Sequence, residues 1–117
     1  MWTYRANLLR WVDGDTASIR VDCGFHIYTE QTIRLMGLDT AELHSRDTTE
    51  RARAAAAHIR ASVLLPPGAA CTVVTAKNPV DRYGRWLATI TTATGVNVNA
   101  VLLAEGLARP YDGGARG

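Results

Sequence analysis

Residues 13–23 constrain the fold most. Asp13-Gly14 is a dipeptide that closes tight β-hairpins. Behind it Ala17, Ile19, Val21 and Cys23 alternate with Ser18, Arg20 and Asp22. A period of two marks a strand with one buried and one wet face. Thr3 to Val12 reads as the strand that enters the turn, and a third strand follows over about His26 to Met36. The pattern then changes. Asp47 followed by Glu50 is a capping-box signature for a helix start. Beyond it Ala52, Ala55, Ala56, Ile59 and Val63 recur at helical spacing, with Arg53 and Arg60 on the other side. Pro66-Pro67-Gly68 ends that helix.

Two more strands are predicted, about Ala70 to Ala76 and Arg85 to Thr92, separated by a turn-rich stretch with Asn78-Pro79. A short helix over about Asn99 to Glu105 stops at Gly106, a favourable residue just past a helix end. The fold class is mainly β with helices: three strands, a helix, two strands and a helix. A small barrel closed by helices would bury such short strands and leave few edges, although periodicity alone does not choose it over an open sheet. At 117 residues the chain is expected to be a single domain over 1–117, with 112–117 frayed.

Composition sets only outer bounds. A 47% hydrophobic and 21% charged chain is ordinary for a globule and excludes disorder. No apolar run nears the roughly 20 residues of a membrane-spanning helix, so no membrane partner is expected. Thirteen Lys and Arg against eleven Asp and Glu leave a net charge of +2, too little to argue for nucleic acid by itself. The N-terminus lacks a signal-peptide pattern. An intracellular location is therefore expected, with secretion after precursor processing left open. In that compartment Cys23 and Cys71 are expected as two free, packed thiols.

Three stretches concentrate polar groups where turns or strand ends should lie: Asp13-Gly14-Asp15-Thr16, Arg34 to Glu42, and Asp81-Arg82-Tyr83-Gly84-Arg85. Singly each has a plain structural reading, as a hairpin turn, a solvated strand face and a polar hairpin. Together they form a chemical set. Asp15, Asp39 and Glu42 are hard oxygen ligands or bases suited to Ca²⁺ or Mg²⁺. Arg34 and Arg85 carry the planar fork that matches phosphate oxygens. Two carboxylates on a metal, a third handling water and two arginines on a phosphate suit phosphodiester hydrolysis. His26, His44 and His58 lie in no metal-ligand spacing, and Trp2, Trp11 and Trp86 read as core or barrel-end packing.

The order Val12-Asp13-Gly14-Asp15-Thr16, then Ile33 to Glu42, then Asp81 to Ala88 resembles the thermonuclease, or staphylococcal-nuclease-like (SNase-like), family. Asn97-Val98-Asn99 with Glu105-Gly106-Leu107-Ala108 extends the likeness, which runs from about Leu8 to Tyr111. The resemblance implies a five-stranded OB-fold barrel with a helix between strands three and four and a short C-terminal helix. It implies Asp15, Asp39 and the Thr40 carbonyl as Ca²⁺ ligands, with Mg²⁺ or another divalent ion as the lesser choice. Glu42 would act on the attacking water, and Arg34 and Arg85 would bind the scissile phosphate. Arg82, Tyr83 and Tyr111 would contact substrate. The implied protein is a monomeric, low-specificity, Ca²⁺-dependent nuclease for DNA and RNA leaving 3′-phosphate ends. Ala41 stands where the family usually has proline. The alternative is an OB-fold module that binds nucleic acid without cutting it.

Overall fold

The computed structural model describes residues 2–80 and 84–111. Strands β1 (Trp2–Asp13) and β2 (Thr16–Asp22) form the hairpin that Asp13-Gly14 announces, and β3 (Tyr28–Leu35) adds antiparallel to β2. A two-residue strand β4 (Leu38–Asp39) precedes helix α1 (Thr48–Leu64). Then come β5 (Ala70–Val80), β6 (Trp86–Thr92), helix α2 (Val98–Ala104) and a second two-residue strand, β7 (Arg109–Pro110). β5 pairs antiparallel with both β1 and β6, and β6 closes on β3 in parallel. The five long strands thus make a closed barrel in the order β1-β2-β3-β6-β5, the OB-fold expected from the sequence.

Leu8, Ile19, Ile33, Leu35, Val73 and Ile90 fill the barrel, and Leu38, Leu65, Val98 and Leu102 extend the core beneath the helices. Burying each such side chain contributes about 1.5–3 kcal/mol. Trp11 is buried as expected, its indole Nε1 donating to the Leu65 carbonyl at 3.0 Å. Cys71 is buried and Cys23 exposed, both as free thiols, so only one of the two is packed.

The third strand starts two residues later than predicted. Phe25 and His26 take left-handed backbone angles (φ 53 and 59), which turn the chain before Tyr28 can pair with Asp22. The fourth long strand runs on through Asn78-Pro79 to Val80, where the sequence suggested a turn.

A larger correction concerns α1. Its buried residues are Ala54, Ala57 and Ala61, not the predicted stripe, and Ile59 and Val63 of that stripe are 62% and 65% exposed. Close approach decided the face. A Cβ built on Gly14 would stand 2.8 Å from Ala57 Cβ and 3.2 Å from the Ala57 carbonyl carbon. The helix backbone lies against the β1–β2 turn, and only alanine fits between. Gly14 is not among the glycines with positive φ, so it serves proximity rather than turn geometry.

The N-cap is as predicted, with the Asp47 side chain accepting from the amides of Thr49 and Glu50. Glu50 does not reach back to the Asp47 amide itself. Ser45 stands between them, its hydroxyl accepting from the Asp47 N–H at 3.1 Å and donating to Glu50 Oε2 at 2.9 Å.

Candidate active site

Strand register brings the first two polar stretches, and Arg85 from the third, to one end of the barrel. Thr16, the first residue of β2, lies across from Arg34 on β3, and Arg34 lies across from Leu87 on β6. Arg85, just before β6, therefore enters beside Thr16, and its Nη1 donates to Thr16 Oγ1 at 3.4 Å. Thr16 Oγ1 in turn donates to Asp15 Oδ1 at 2.9 Å, so Arg85 connects to the first carboxylate through one hydroxyl.

Asp15 and Asp39 are both buried. Ionised carboxylates out of water need charged or hydrogen-bonding partners, and each has them. The Thr40 backbone N–H donates to Asp15 Oδ2 at 3.2 Å. Arg34 Nη2 donates to Asp39 Oδ1 at 3.0 Å and to the Leu38 carbonyl at 3.3 Å, and lies 3.7 Å from Asp15 Oδ2. One guanidinium, only 11% exposed, thus bridges both carboxylates. The Thr40 hydroxyl is buried without a hydrogen-bond partner among the described residues. A buried polar atom left unpaired beside two carboxylates fits an oxygen donor waiting for a cation.

Glu42 sits on the rim, exposed. Its carboxylate shares a field with Asp13 and Asp15, and both charges help raise the Asp13 carboxyl above its ordinary value, after burial as the main cause. Asp13, read from sequence only as a turn residue, lies within this field; two acidic residues flanking one glycine were the available signal.

The C-terminal part of the fold closes the other side. β7 pairs with β4, placing Arg109 opposite Asp39, and the Tyr111 amide donates to the Gly37 carbonyl at 2.9 Å. Arg109 Nη2 lies 3.6 Å from Asp39 Oδ2. The Tyr111 ring lies over the Arg34 guanidinium, 5.2 Å from centroid to Cζ. Tyr111, expected as a substrate contact, thus packs on a predicted phosphate-binding arginine. Arg109 was missed because a two-residue strand leaves no periodicity to read. Arg82 and Tyr83 lie outside the described residues, as do Asp81 and the tail expected to fray.

Asn99, noted only inside a motif, proves to be the tie that sets this geometry. Its Nδ2 donates to the carbonyls of Met36 and Ala88 at 3.0 and 3.2 Å, and its Oδ1 accepts from the Ile90 N–H at 3.1 Å. α2 is thereby locked over the parallel β3–β6 seam that carries Arg34 and aligns Arg85.

An OB barrel with buried carboxylates and arginines gathered at one end defines a nuclease-like, nucleic-acid-related class of protein. The profile of the staphylococcal nuclease homologue (SNase) family matches residues 32–115, more than two thirds of the chain, and this chain belongs to that family. Asp15 precedes the matched segment and joins it through the Thr40 amide. A search of curated proteins finds no match.

Proposed function

We propose that this protein is a metal-dependent nuclease that hydrolyses phosphodiester bonds of DNA and RNA with little base specificity, using Ca²⁺. The observation that carries this reading is the gathering of Arg34 and Arg85 at the buried Asp15–Asp39 pair. A module that only binds polynucleotide has no use for two buried carboxylates beside its phosphate, because they repel the backbone.

Asp15, Asp39 and the oxygens of Thr40 are the donors that would hold the ion. Among the described residues no group of three or more Asp, Glu, His or Cys could hold a metal, so water and substrate would complete the shell, as hard divalent ions allow. When bound, the ion supplies positive charge to a phosphate oxygen. Glu42, exposed on the rim, takes the proton of the attacking water. The Arg34 and Arg85 forks hold the phosphate and offset the charge that grows as water adds to phosphorus and the bond to the 5′-oxygen breaks. The 5′-oxygen takes a proton from solvent water as it leaves, Glu42 returns its own to solvent, and the 3′-phosphate stays behind. Asp39 and the Tyr111 ring fix the Arg34 guanidinium from two sides.

The test is digestion of plasmid DNA and of RNA with Ca²⁺, with Mg²⁺ and with chelator, using wild type, Glu42→Ala and Arg85→Ala. Cutting that needs Ca²⁺ and falls about 10²–10³-fold in kcat without Arg85 is expected, the usual loss for one transition-state donor. Wild-type protein that binds DNA and never cuts it makes this chain a binding module.

A further inference from the structure

A cleft of about 710 Å³ opens from Asp39 and Thr40 and runs between α1 and the segment Gly106–Arg109. Thr49, Arg53, Ala56 and Arg60 follow one another along the side of α1 at spacings of four, three and four residues, a single line on a helix. At the far end Arg60 is consumed: Nε and Nη2 both donate to the Glu105 carboxylate of α2 at 2.8 Å. The three acidic residues of the cleft wall are also engaged, Asp39 on Arg34, Asp47 on the helix amides and Glu50 on the Ser45 hydroxyl.

Two cations differ. Arg53 is exposed to the cleft and has no hydrogen bond or ion pair among the described residues. Arg109 enters from the opposite wall; its side chain is 73% exposed and rests on Asp39 only at 3.6 Å, too far for a good hydrogen bond. We propose that this cleft is a second phosphate site, in which Arg53 and Arg109 hold the phosphate next to the scissile one. Resting on the nuclease reading above, it makes the preferred substrate a polynucleotide strand running on along α1 rather than a dinucleotide. The sides of α1 then divide their work: Ala54, Ala57 and Ala61 are packed inward, and Thr49, Arg53 and Ala56 line the cleft. Arg109 links the two phosphate sites, since its strand partner is Asp39.

The test compares TpT, which has one phosphodiester and no neighbouring phosphate, with a ten-residue oligothymidylate, in wild type, Arg53→Ala, Arg109→Ala and the double variant. Thermal melts verify folding. The advantage of the ten-mer over TpT in kcat/KM should fall at least tenfold in the double variant, with the loss in KM rather than kcat, as for binding common to ground and transition states. In chelator, where nothing is cut, the slope of log K for the ten-mer against log salt should shrink by about 1.4, or about 0.7 for each lost contact to a single strand. Arg53→Lys should keep the slope. An unchanged substrate ratio with an unchanged slope overturns the proposal. Equal loss on both substrates from Arg109→Ala confines that residue to positioning Asp39 and removes it from the site. If wild type cuts neither substrate in any divalent ion, the nuclease reading fails, and the salt slope alone decides whether the cleft binds phosphate.

Discussion

The contact between Gly14 and Ala57 supports a quantitative prediction for Gly14→Ala. The added methyl would sit 2.8 Å from Ala57 Cβ, 3.2 Å from the Ala57 carbonyl carbon and 3.3 Å from Thr40 Cγ2. Carbon atoms rest at about 3.5–4.0 Å, so turn and helix must part by about 1 Å. The nearest obstacle is Ala57 Cβ, which is fixed to the helix backbone and cannot rotate aside like the end of a flexible side chain. Overpacking of this kind costs about 1–3 kcal/mol, which in a chain of 117 residues lowers Tm by about 4–15 °C. Activity should suffer more than stability. Gly14 is bonded to Asp15, and Asp15 holds the Thr40 amide, so the same shift reaches both. A misplacement of about 1 Å can cost 10²-fold in rate.

Circular dichroism melts of Gly14→Ala, Ala57→Gly and the double variant test this reasoning, with kcat measured on each. Ala57→Gly alone should cost about 1 kcal/mol of helix propensity. In the double variant the 2.8 Å contact is gone, while those to the Ala57 carbonyl carbon and Thr40 Cγ2 remain at 3.2 and 3.3 Å, so its loss should be smaller than the sum of the single losses by about 1 kcal/mol. Strict additivity, or a Tm drop under about 2 °C for Gly14→Ala, would refute the claim that backbone proximity fixed the helix face.

Other expectations follow from single contacts. Asn99→Ala orphans the buried Ile90 N–H and the part-buried Met36 carbonyl, the Ala88 carbonyl keeping the Met36 N–H, and should destabilise by about 2–6 kcal/mol, at about 1–3 kcal/mol for each unpaired group, as read by urea denaturation; a loss below about 1 kcal/mol would mean that water replaces the amide. Of the two thiols, Cys23 should react with a disulfide reagent in native protein and Cys71 only after unfolding, since burial raises the Cys71 thiol from 9.0 to about 11. Between those values the unfolded chain loses that proton and the folded one keeps it, so Cys71 makes stability fall as pH rises from 9.0 towards about 11; Cys71→Ala should flatten that limb. Saturating Ca²⁺ should raise Tm, by the equivalent of about 2.7 kcal/mol at a hundred times Kd. Asp15→Asn and Asp39→Asn should abolish the rise, whereas an undiminished rise in both would place the ion elsewhere.

The sequence made the strands legible because they obey local rules. Alternation in residues 17–23 and a turn dipeptide are written in neighbouring positions, whereas closure of the strands into a barrel was implied by the family resemblance alone. The candidate site residues were legible for a different reason: Asp15, Arg34, Asp39 and Arg85 each had a plain structural reading, and only as a set did their types point to one chemistry before their positions were known. What escaped was settled by distance. The face of α1 misled because amphipathic counting assumes that the largest apolar residues pack, and here a helix pressed against a glycine turn has room for alanine alone, leaving Ile59 and Val63 in water. Arg109 escaped because its strand partner Asp39 is 70 residues away, and two-residue strands carry no period. Tyr111 was anticipated as a substrate contact, yet its position on Arg34 follows from the same pairing of β4 with β7. Local sequence thus encodes the strands and the residue types at their ends, and long-range packing decides which helix face meets the barrel and which cations share a cleft. That division explains why the proposed second phosphate site falls on Arg53 and Arg109: both lie outside the recognisable motif blocks, and only the closed fold gives them a common cleft.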